Sequence, residues 1–148
     1  MFIREIISHK GGDEIFSITP EDDVAMAVER LVANDVGSLV VKNPKGEMVG
    51  FLTERDIMKG MRRQGCSLKD SKVADIMITE PVVATPEDTI DYARDAMTKA
   101  RISHLPVLDG NKLVGVISFY DVAKACLREA NFENSLLKRY IKNWPEQG

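Results

Sequence analysis

A chain of 148 residues, 44% hydrophobic and 29% charged, has the composition of a folded globular protein that can bury a core without metal or disulfide support. Its net charge of −3 at pH 7 argues against a dedicated nucleic-acid binder, which would neutralise many phosphates. No segment approaches the roughly 18 apolar residues of a membrane span. Because Arg4 and Glu5 also interrupt any signal-peptide pattern, we expect a cytoplasmic protein with no membrane partner.

The cysteines and histidines are too few and too scattered to build a metal centre. Cys66 and Cys126 lie far apart with no Cys-x-x-Cys motif, and the only histidines are His9 and His104. We therefore expect reduced cysteines, with Cys126 buried, and neither a metal site nor a disulfide framework. The phosphate-binding loop and the nucleophile elbow are also missing, so the sequence predicts no catalytic residues and no catalytic cofactor.

Two similar copies follow one another along the chain. Thr19-Pro20-Glu21-Asp22 in the first copy recurs as Thr85-Pro86-Glu87-Asp88, and the strand that contains Gly50 recurs around Gly115. The offset between the copies shrinks by one residue, and the loss falls in a turn. Internal repetition decides the architecture, and two copies predict face-to-face packing with paired sites between them.

Each copy predicts a strand, a helix, a strand, a turn, a strand and a helix. In the first copy a β-prone run ends at Ile18, and the Thr-Pro-Glu-Asp quartet then predicts a helix start, with a threonine cap, an early proline and acids beside the positive helix end. The second quartet predicts the same start. Apolar residues then recur at helical spacing, namely Val24, Ala27, Val28 and Leu31, and Ile90, Ala93 and Met97.

Two apolar strands follow in each copy. Segments 39–41 and 48–52 are joined by Asn43-Pro44-Lys45-Gly46, and segments 105–108 and 113–117 by Asp109-Gly110-Asn111, which are hairpin sequences. A strand, a helix and a strand in this order form a right-handed crossover, so each copy should be a small mixed sheet with helices on one face. Because about three strands are too few to stand alone, the copies must bury surface against each other.

The flanking segments extend the pattern. Residues 3–7, which precede the first copy, resemble residues 73–77, which precede the second copy. The stretch that joins 3–7 to the first copy is longer than its counterpart in the second, because it contains a loop with Gly11 and Gly12. After the second copy a helical stripe continues, formed by Leu137, Tyr140, Ile141 and Trp144. This stripe caps the domain or meets another subunit.

Both copies end in an acid at the N-terminus of a helix, which we call the helix mouth. Thr53-Glu54-Arg55-Asp56 and Ser118-Phe119-Tyr120-Asp121 each leave an apolar strand and enter a helix. One hypothesis is a capping box, in which hydroxyl and acid satisfy free backbone amides without any ligand. The other is a carboxylate that accepts hydrogen bonds from a ribose diol beside helix-end amides that attract phosphate. Gly50 and Gly115 would let another backbone or a ring approach.

Taken together, these features resemble a tandem pair of CBS domains, the cystathionine-β-synthase type of regulatory repeat. The resemblance covers about Ile3 to Glu129 and is carried by the following motifs: Met77-x-x-x-Pro81-Val82-Val83, the two Thr-Pro-Glu-Asp quartets, Ser103-His104-Leu105-Pro106-Val107, and Gly-x-x-[Ser/Thr]-x-x-Asp twice. It implies an α/β (α+β) fold of two βαββα repeats, with small mixed sheets flanked by helices, packed with pseudo-twofold symmetry. We expect a single tandem module over 1–148, with repeats at 13–63 and 79–129 and a helical extension at 130–148.

The resemblance also implies two clefts that bind adenosine-containing ligands. In the cleft headed by Asp56, that residue would hold the ribose, Thr53 and Arg55 the phosphate, with Ser38 nearby, and the adenine would be framed by Thr79, Pro81, Ile102 and Ser103. In the cleft headed by Asp121, that residue would hold the ribose, Ser118 and His104 would face the phosphate, and Val36 and Gly37 would lie beside the base. Tyr120 stands where the first copy has Arg55, so we expect the Asp56 cleft to favour anionic ligands more.

Some of these residues keep a second interpretation. His104 is equally well explained as the partner of a buried carbonyl, Arg55 as a solvated residue at a helix start, and Arg101 as a surface charge. We expect a non-catalytic regulatory module that binds an adenine nucleotide (AMP, ADP or ATP), NAD or S-adenosylmethionine and signals to an unknown target protein. The alternative is a structural or protein-interaction module with no physiological nucleotide, and an enzyme is disfavoured. A homodimer is also expected, because the resemblance implies assembly into disks and because the C-terminal stripe requires burial.

Overall fold

The computed structural model describes residues 1–10, 15–64, 67–68 and 70–140. Gly11, Gly12, Cys66, Ile141 and Trp144 lie outside the described residues. The elements are α1 Ile3–Lys10, β1 Ser17–Ile18, α2 Val24–Ala33, β2 Ser38–Lys42, β3 Met48–Thr53, α3 Glu54–Arg63, a 3-10 turn Val73–Asp75, α4 Ile90–Ala100, β4 His104–Asp109, β5 Lys112–Ser118 and α5 Phe119–Tyr140. The predicted α+β class, with small sheets flanked by helices, is confirmed.

The two copies build similar sheets. In the first, β1 is parallel to β2 and β2 is antiparallel to β3, with Leu39 opposite Leu52. In the second, β4 and β5 are antiparallel, and the predicted first strand is reduced to one parallel bridge from Ala84 to Val107. The hairpin turns are as predicted, because Gly46 and Gly110 adopt the positive φ angles of 81° and 62° that favour glycine.

The predicted helix starts are wrong by several residues. Both Thr-Pro-Glu-Asp quartets form a turn, in which the Thr19 amide donates to the Asp22 carboxylate at 2.9 Å and the Thr85 amide to the Asp88 carboxylate at 2.8 Å. The helices begin afterwards, with Asp23 and Thr89 at their N-caps. The physical reason is that the backbone carbonyls of the quartets accept hydrogen bonds from another part of the chain.

That other part is the segment before the opposite copy. Ile3 donates its amide to the Asp88 carbonyl, and Val73 donates to the Asp22 carbonyl, both at 2.9 Å. In return, the first helical amide of α4 donates to Met1 O at 3.1 Å, and that of α2 donates to Ser71 O at 3.0 Å. The two sets of contacts match one another, as pseudo-twofold symmetry requires. We call residues 1–10 and 71–80 the exchanged segments.

The hydrophobic cores follow the same exchange. Ile3 and Ile6 are buried in the core of the second copy, and Val73 and Ile76 in the core of the first. Each copy therefore completes its core with residues that precede the other copy. The predicted helix stripes supply further core residues: Val24, Ala27, Leu31, Ile90, Ala93 and Met97 are buried, and Val28, at the edge of its stripe, is 40% exposed.

The two strand glycines make room for the exchanged segments. A Cβ on Gly50 would lie 2.8 Å from Met77 Sδ and 3.1 Å from the Ile78 carbonyl oxygen. A Cβ on Gly115 would lie 2.5 Å from Ile7 Cδ1. The close approach predicted at these glycines is present, and within the described residues it is made by the protein itself.

The last helix continues well past the second copy. α5 has 22 residues and runs without interruption to Tyr140. Of the predicted stripe, Leu137 is exposed, and Phe132 is exposed beside it. Cys126, expected to be buried, is half-buried and packs against the second core.

Ile3→Ala should lower the free energy of unfolding by about 2–5 kcal/mol, because it leaves a cavity in a closed core. Urea denaturation measures the loss, and Val32→Ala, on an exposed position, should change the free energy by less than about 0.5 kcal/mol. Amide hydrogen exchange should accelerate in β4 and β5. Acceleration confined to β2 and β3 would show that the N-terminal segment does not complete the second core.

Candidate functional site

Two cavities lie at related positions of the repeat, each beside one helix mouth. The Asp56 cleft, beside the start of α3, encloses about 540 Å3. The Asp121 cleft, beside the start of α5, encloses about 730 Å3. Both volumes fall in the range of about 300–1,000 Å3 that is usual for small-molecule sites.

Asp56 closes a capping box with one carboxylate oxygen. Its Oδ2 accepts hydrogen bonds from Thr53 N at 2.8 Å and from Thr53 Oγ1 at 2.9 Å, and the Asp56 amide donates back to Oγ1 at 3.3 Å. The residue is only 8% exposed, yet it lines the cleft. Within the described residues Oδ1 makes no hydrogen bond. The capping hypothesis therefore holds, and it leaves one oxygen for a ligand.

Asp121 has the same cap and an additional cation. Its Oδ2 accepts from Ser118 N at 2.9 Å and from Lys10 Nζ at 2.8 Å, and the Asp121 amide donates to Ser118 Oγ at 3.1 Å. Burial acts to raise the pKa of this carboxyl, but the hydrogen bonds from Lys10 and Ser118 outweigh burial and hold the pKa below its ordinary value. Asp121 is thus a carboxylate at neutral pH.

Most residues expected at the Asp56 cleft meet there. Its lining includes Thr53, Arg55, Asp56, Pro81, Ile102 and Ser103. Thr79 is exposed and lies outside this lining, although its neighbours Ile78 and Glu80 belong to it. Ser38, which was expected near the phosphate in the Asp56 cleft, lines the Asp121 cleft instead.

The expected residues of the Asp121 cleft separate into two groups. Val36, Gly37, His104 and Ser118 line the cavity. Asp121 is not part of this lining, although Lys10 and Ser118, which both donate to its carboxylate, are. Tyr120 is 71% exposed and turns away, with Lys124 Nζ 5.7 Å from its ring centre.

His104 belongs to both clefts, which the sequence interpretation did not anticipate. Its ring packs over Gly37 so closely that a Cβ there would lie 2.6 Å from Cε1, and the ring lines both cavities. Burial lowers the pKa of His104 below its ordinary value of 6.5; Glu54 opposes this, Lys10 adds to it and Asp121 opposes it. At neutral pH the ring is therefore uncharged.

The clefts differ in charge. The Asp56 cleft is lined by three cations and three acids, which are Arg55, Lys59, Arg101, Glu54, Asp56 and Glu80. Arg101, expected at the surface, contributes to this wall and accepts a hydrogen bond at its carbonyl from Arg55 Nη1 at 3.4 Å. The described lining of the Asp121 cleft contains Lys10 and Asp35 beside His104.

Sequence reasoning missed Lys10 and Glu80, although the resemblance of the flanking segments could have found them. The offset that aligns Ile7 with Met77 also aligns Lys10 with Glu80. Each of these residues lines the cleft of the copy that its segment completes. Extending the flank comparison by three residues would have placed both.

Neither a metal cluster nor a membrane helix emerges from the described ranges. No three His, Cys, Asp or Glu side chains there come together to hold an ion. None of the helices in the described part of the chain is long and apolar enough to cross a bilayer.

Comparison with known proteins identifies the family. The family model of the CBS domain matches residues 3–63 and again 73–128. A mitochondrial CBS domain-containing protein of Arabidopsis thaliana is 37% identical over 128 residues, which are 84% of this chain and 62% of that protein. The chain thus spans less than two thirds of that relative's length.

Solved structures agree with the family match. A putative signal-transduction protein with CBS domains from Burkholderia ambifaria superposes with a TM-score of 0.80 and 31% identity, over 86% of this chain and 95% of that one. A CBS domain pair in complex with 5-methylthioadenosine and S-adenosylmethionine superposes with a TM-score of 0.73 over 87% of this chain and 98% of that one, at 20% identity. With both copies matched and the fold shared, the chain belongs to the CBS domain family as a tandem CBS pair.

Proposed function

We propose that this CBS pair is a regulatory module that binds an adenosine-containing ligand in its clefts and passes the change to a partner protein. The observation that carries the proposal is the Asp56 carboxylate, which lines its cleft. Asp56 uses Oδ2 for the cap, and within the described residues its Oδ1 atom is unbonded. The two hydroxyl groups of a ribose can donate hydrogen bonds, and such an oxygen can accept them.

The lining of the Asp56 cleft supports a nucleoside ligand. Apolar side chains for a flat base come from Ile78, Pro81, Val82 and Ile102. The acceptor for the sugar is Asp56, and the cations for an anionic tail are Arg55, Lys59 and Arg101. The CBS pair that holds 5-methylthioadenosine and S-adenosylmethionine shares the fold, which makes adenosine compounds the first ligands to test.

We infer a role without catalysis of its own. Catalysis requires an acid, a base or a nucleophile positioned around one reacting centre. Here Asp56 and Asp121 stand at separate clefts, and each carboxylate is held by its own backbone cap. The adenine nucleotide would accordingly be a regulatory ligand.

The competing proposal is an interaction module with no physiological nucleotide. Leu127, Phe132 and Leu137 on α5 are exposed, and burying such side chains against a second copy would stabilise a homodimer. In this proposal the clefts are by-products of the packing, and the caps are the only task of the two aspartates. The target protein and the cytoplasmic location stay predictions under both proposals.

A native mass spectrum of freshly purified protein should show a dimer of the 16.5 kDa chain that carries adenosine compounds. Burial of the exposed α5 residues favours the dimer, and the paired clefts favour up to two ligands per chain. The spectrum reports ligand mass, stoichiometry and oligomeric state together. A ligand-free monomer that binds no added AMP, ATP, NAD or S-adenosylmethionine would refute the regulatory proposal.

Asp56→Ala should weaken AMP binding by about 1.5–3 kcal/mol, because it removes a charge-assisted hydrogen bond to the ribose. Isothermal titration calorimetry measures the change, and Asp121→Ala should cost less if the Asp56 cleft dominates. Thr89→Ala is the matched control, since Thr89 caps α4 through a 3.0 Å bond from Tyr92 N away from both clefts. It should lower stability by about 0.5–2 kcal/mol with AMP affinity intact. Equal affinity losses in all three variants would mean that the aspartates act only as caps.

His104 should titrate below pH 6.5 in the free protein, and its pKa should rise when AMP places a phosphate beside the ring. NMR of the two histidine rings measures both values, with His9→Gln for assignment. Because the folded-state pKa lies below the unfolded one, the stability that His104 contributes is complete above about pH 6.5 and is lost as the pH falls toward the folded-state pKa. A pKa of 6.5 or higher in the free protein, or one that AMP does not move, would contradict this account.

A further inference from the structure

The two clefts obtain their cations from different parts of the repeat. At the helix mouth the Asp56 cleft has Arg55, where the second copy has Tyr120, whose ring turns to solvent. On the exchanged segments the pattern is reversed, because the Asp56 cleft has Glu80 and the Asp121 cleft has Lys10. The Asp121 cleft therefore lacks a cation at the helix start, where Tyr120 replaces Arg55, but gains one from Lys10.

Lys10 is positioned to bind more than its present partners. Its ammonium donates to Asp121 Oδ2 at 2.8 Å and to the Val116 carbonyl oxygen at 3.2 Å. An ammonium has three donors, so one remains, and the described residues provide no partner for it. Lys10 lines the cavity and Asp121 does not, so the positive member of the pair is the one that a ligand in the cavity would meet.

We propose that Lys10 is the residue that binds the anionic group, such as a phosphate, of a ligand in the Asp121 cleft. The proposal rests on the function proposed above and adds the specificity of the second site. It adds a cation to the cleft in which Tyr120 takes the place of Arg55. The cation comes from the N-terminal exchanged segment, and Lys10 lies 111 residues from Asp121 along the chain.

The charge balance of the clefts makes the effect of Lys10 measurable. Lys10 is the one lysine or arginine in the described lining of the Asp121 cleft, whereas the Asp56 cleft has three such residues. Removing Lys10 should therefore abolish the preference of the Asp121 cleft for AMP over adenosine. The same change at Arg55 should reduce the preference of the Asp56 cleft only in part.

A purely structural role is the alternative. The Lys10–Asp121 ion pair joins α1 to α5, and half-buried pairs of this kind can hold two helices together without any ligand. A structural role predicts that loss of Lys10 weakens every ligand equally, through misplacement of the cleft walls. An anion-binding role predicts a loss for ligands with a phosphate only.

The test compares AMP with adenosine by calorimetry in an Asp56→Ala background, in which the Asp56 cleft binds more weakly and the Asp121 cleft contributes more of the signal. Lys10→Met, which retains most of the apolar stem, should weaken AMP about tenfold to a hundredfold and leave adenosine unchanged. Lys10→Arg keeps the charge and should retain AMP binding. Lys124→Met is the control, because Lys124 lies one turn along α5 from Asp121 but does not line the cavity. It should bind AMP as the parent does.

Five outcomes would overturn the proposal. If Lys10→Met weakens adenosine as much as AMP, or leaves AMP unchanged, Lys10 does not bind the anion. If Lys10→Met does not fold, loss of the AMP preference in a folded Lys10→Arg protein overturns the proposal as well. If the wild type binds AMP but the Asp56→Ala protein does not, the second cleft is no nucleotide site, although the proposed function survives. If the wild type binds neither AMP nor adenosine, the proposed function fails together with this inference.

Discussion

The structure depends on the exchange of two short apolar segments between the copies. Ile3 and Ile6 fill the core of the second copy, as Val73 and Ile76 fill the core of the first, and matched backbone hydrogen bonds fix both segments. A sheet of two or three short strands cannot bury enough apolar surface alone. Each copy completes its core with apolar residues from the segment that precedes the other copy, so the two copies should fold as one cooperative unit. Both clefts form between the copies.

The exchange also makes two similar clefts chemically different. The segments that close the cores carry Lys10 and Glu80 to equivalent places in opposite clefts. At the start of the last helix of each copy the charge difference is reversed, because the first copy has the cation Arg55 where the second has the uncharged Tyr120. The repeat therefore produces two clefts of similar shape, and a few residue differences between the copies determine the charge that lines each cleft. His104, which borders both cavities, is the wall that the two clefts share.

The capping and ligand hypotheses for the acidic helix mouths turn out to be compatible. A carboxylate has two oxygens, and the cap of α3 uses only Oδ2 of Asp56. The cap holds the side chain in one orientation, and a rigidly held acceptor loses less entropy when a ligand binds. A residue can thus satisfy its own backbone and still present an acceptor to a neighbouring cavity.

The amino-acid sequence by itself determined the hairpins at Gly46 and Gly110 and the caps at Thr53 and Ser118, because each depends on residues a few positions apart. The repeat and the class of fold could be predicted because the same motifs recur in the same order in both copies. The helix starts were misplaced because the quartet carbonyls accept from amides of a distant segment, at Ile3 and Val73. Ser38 and His104 occupy equivalent positions, yet only the longer ring reaches both cavities. The tertiary structure alone decided that Ser38 lines the Asp121 cleft, that His104 borders both clefts and that Lys10 meets Asp121, since these contacts depend on how the copies pack in space.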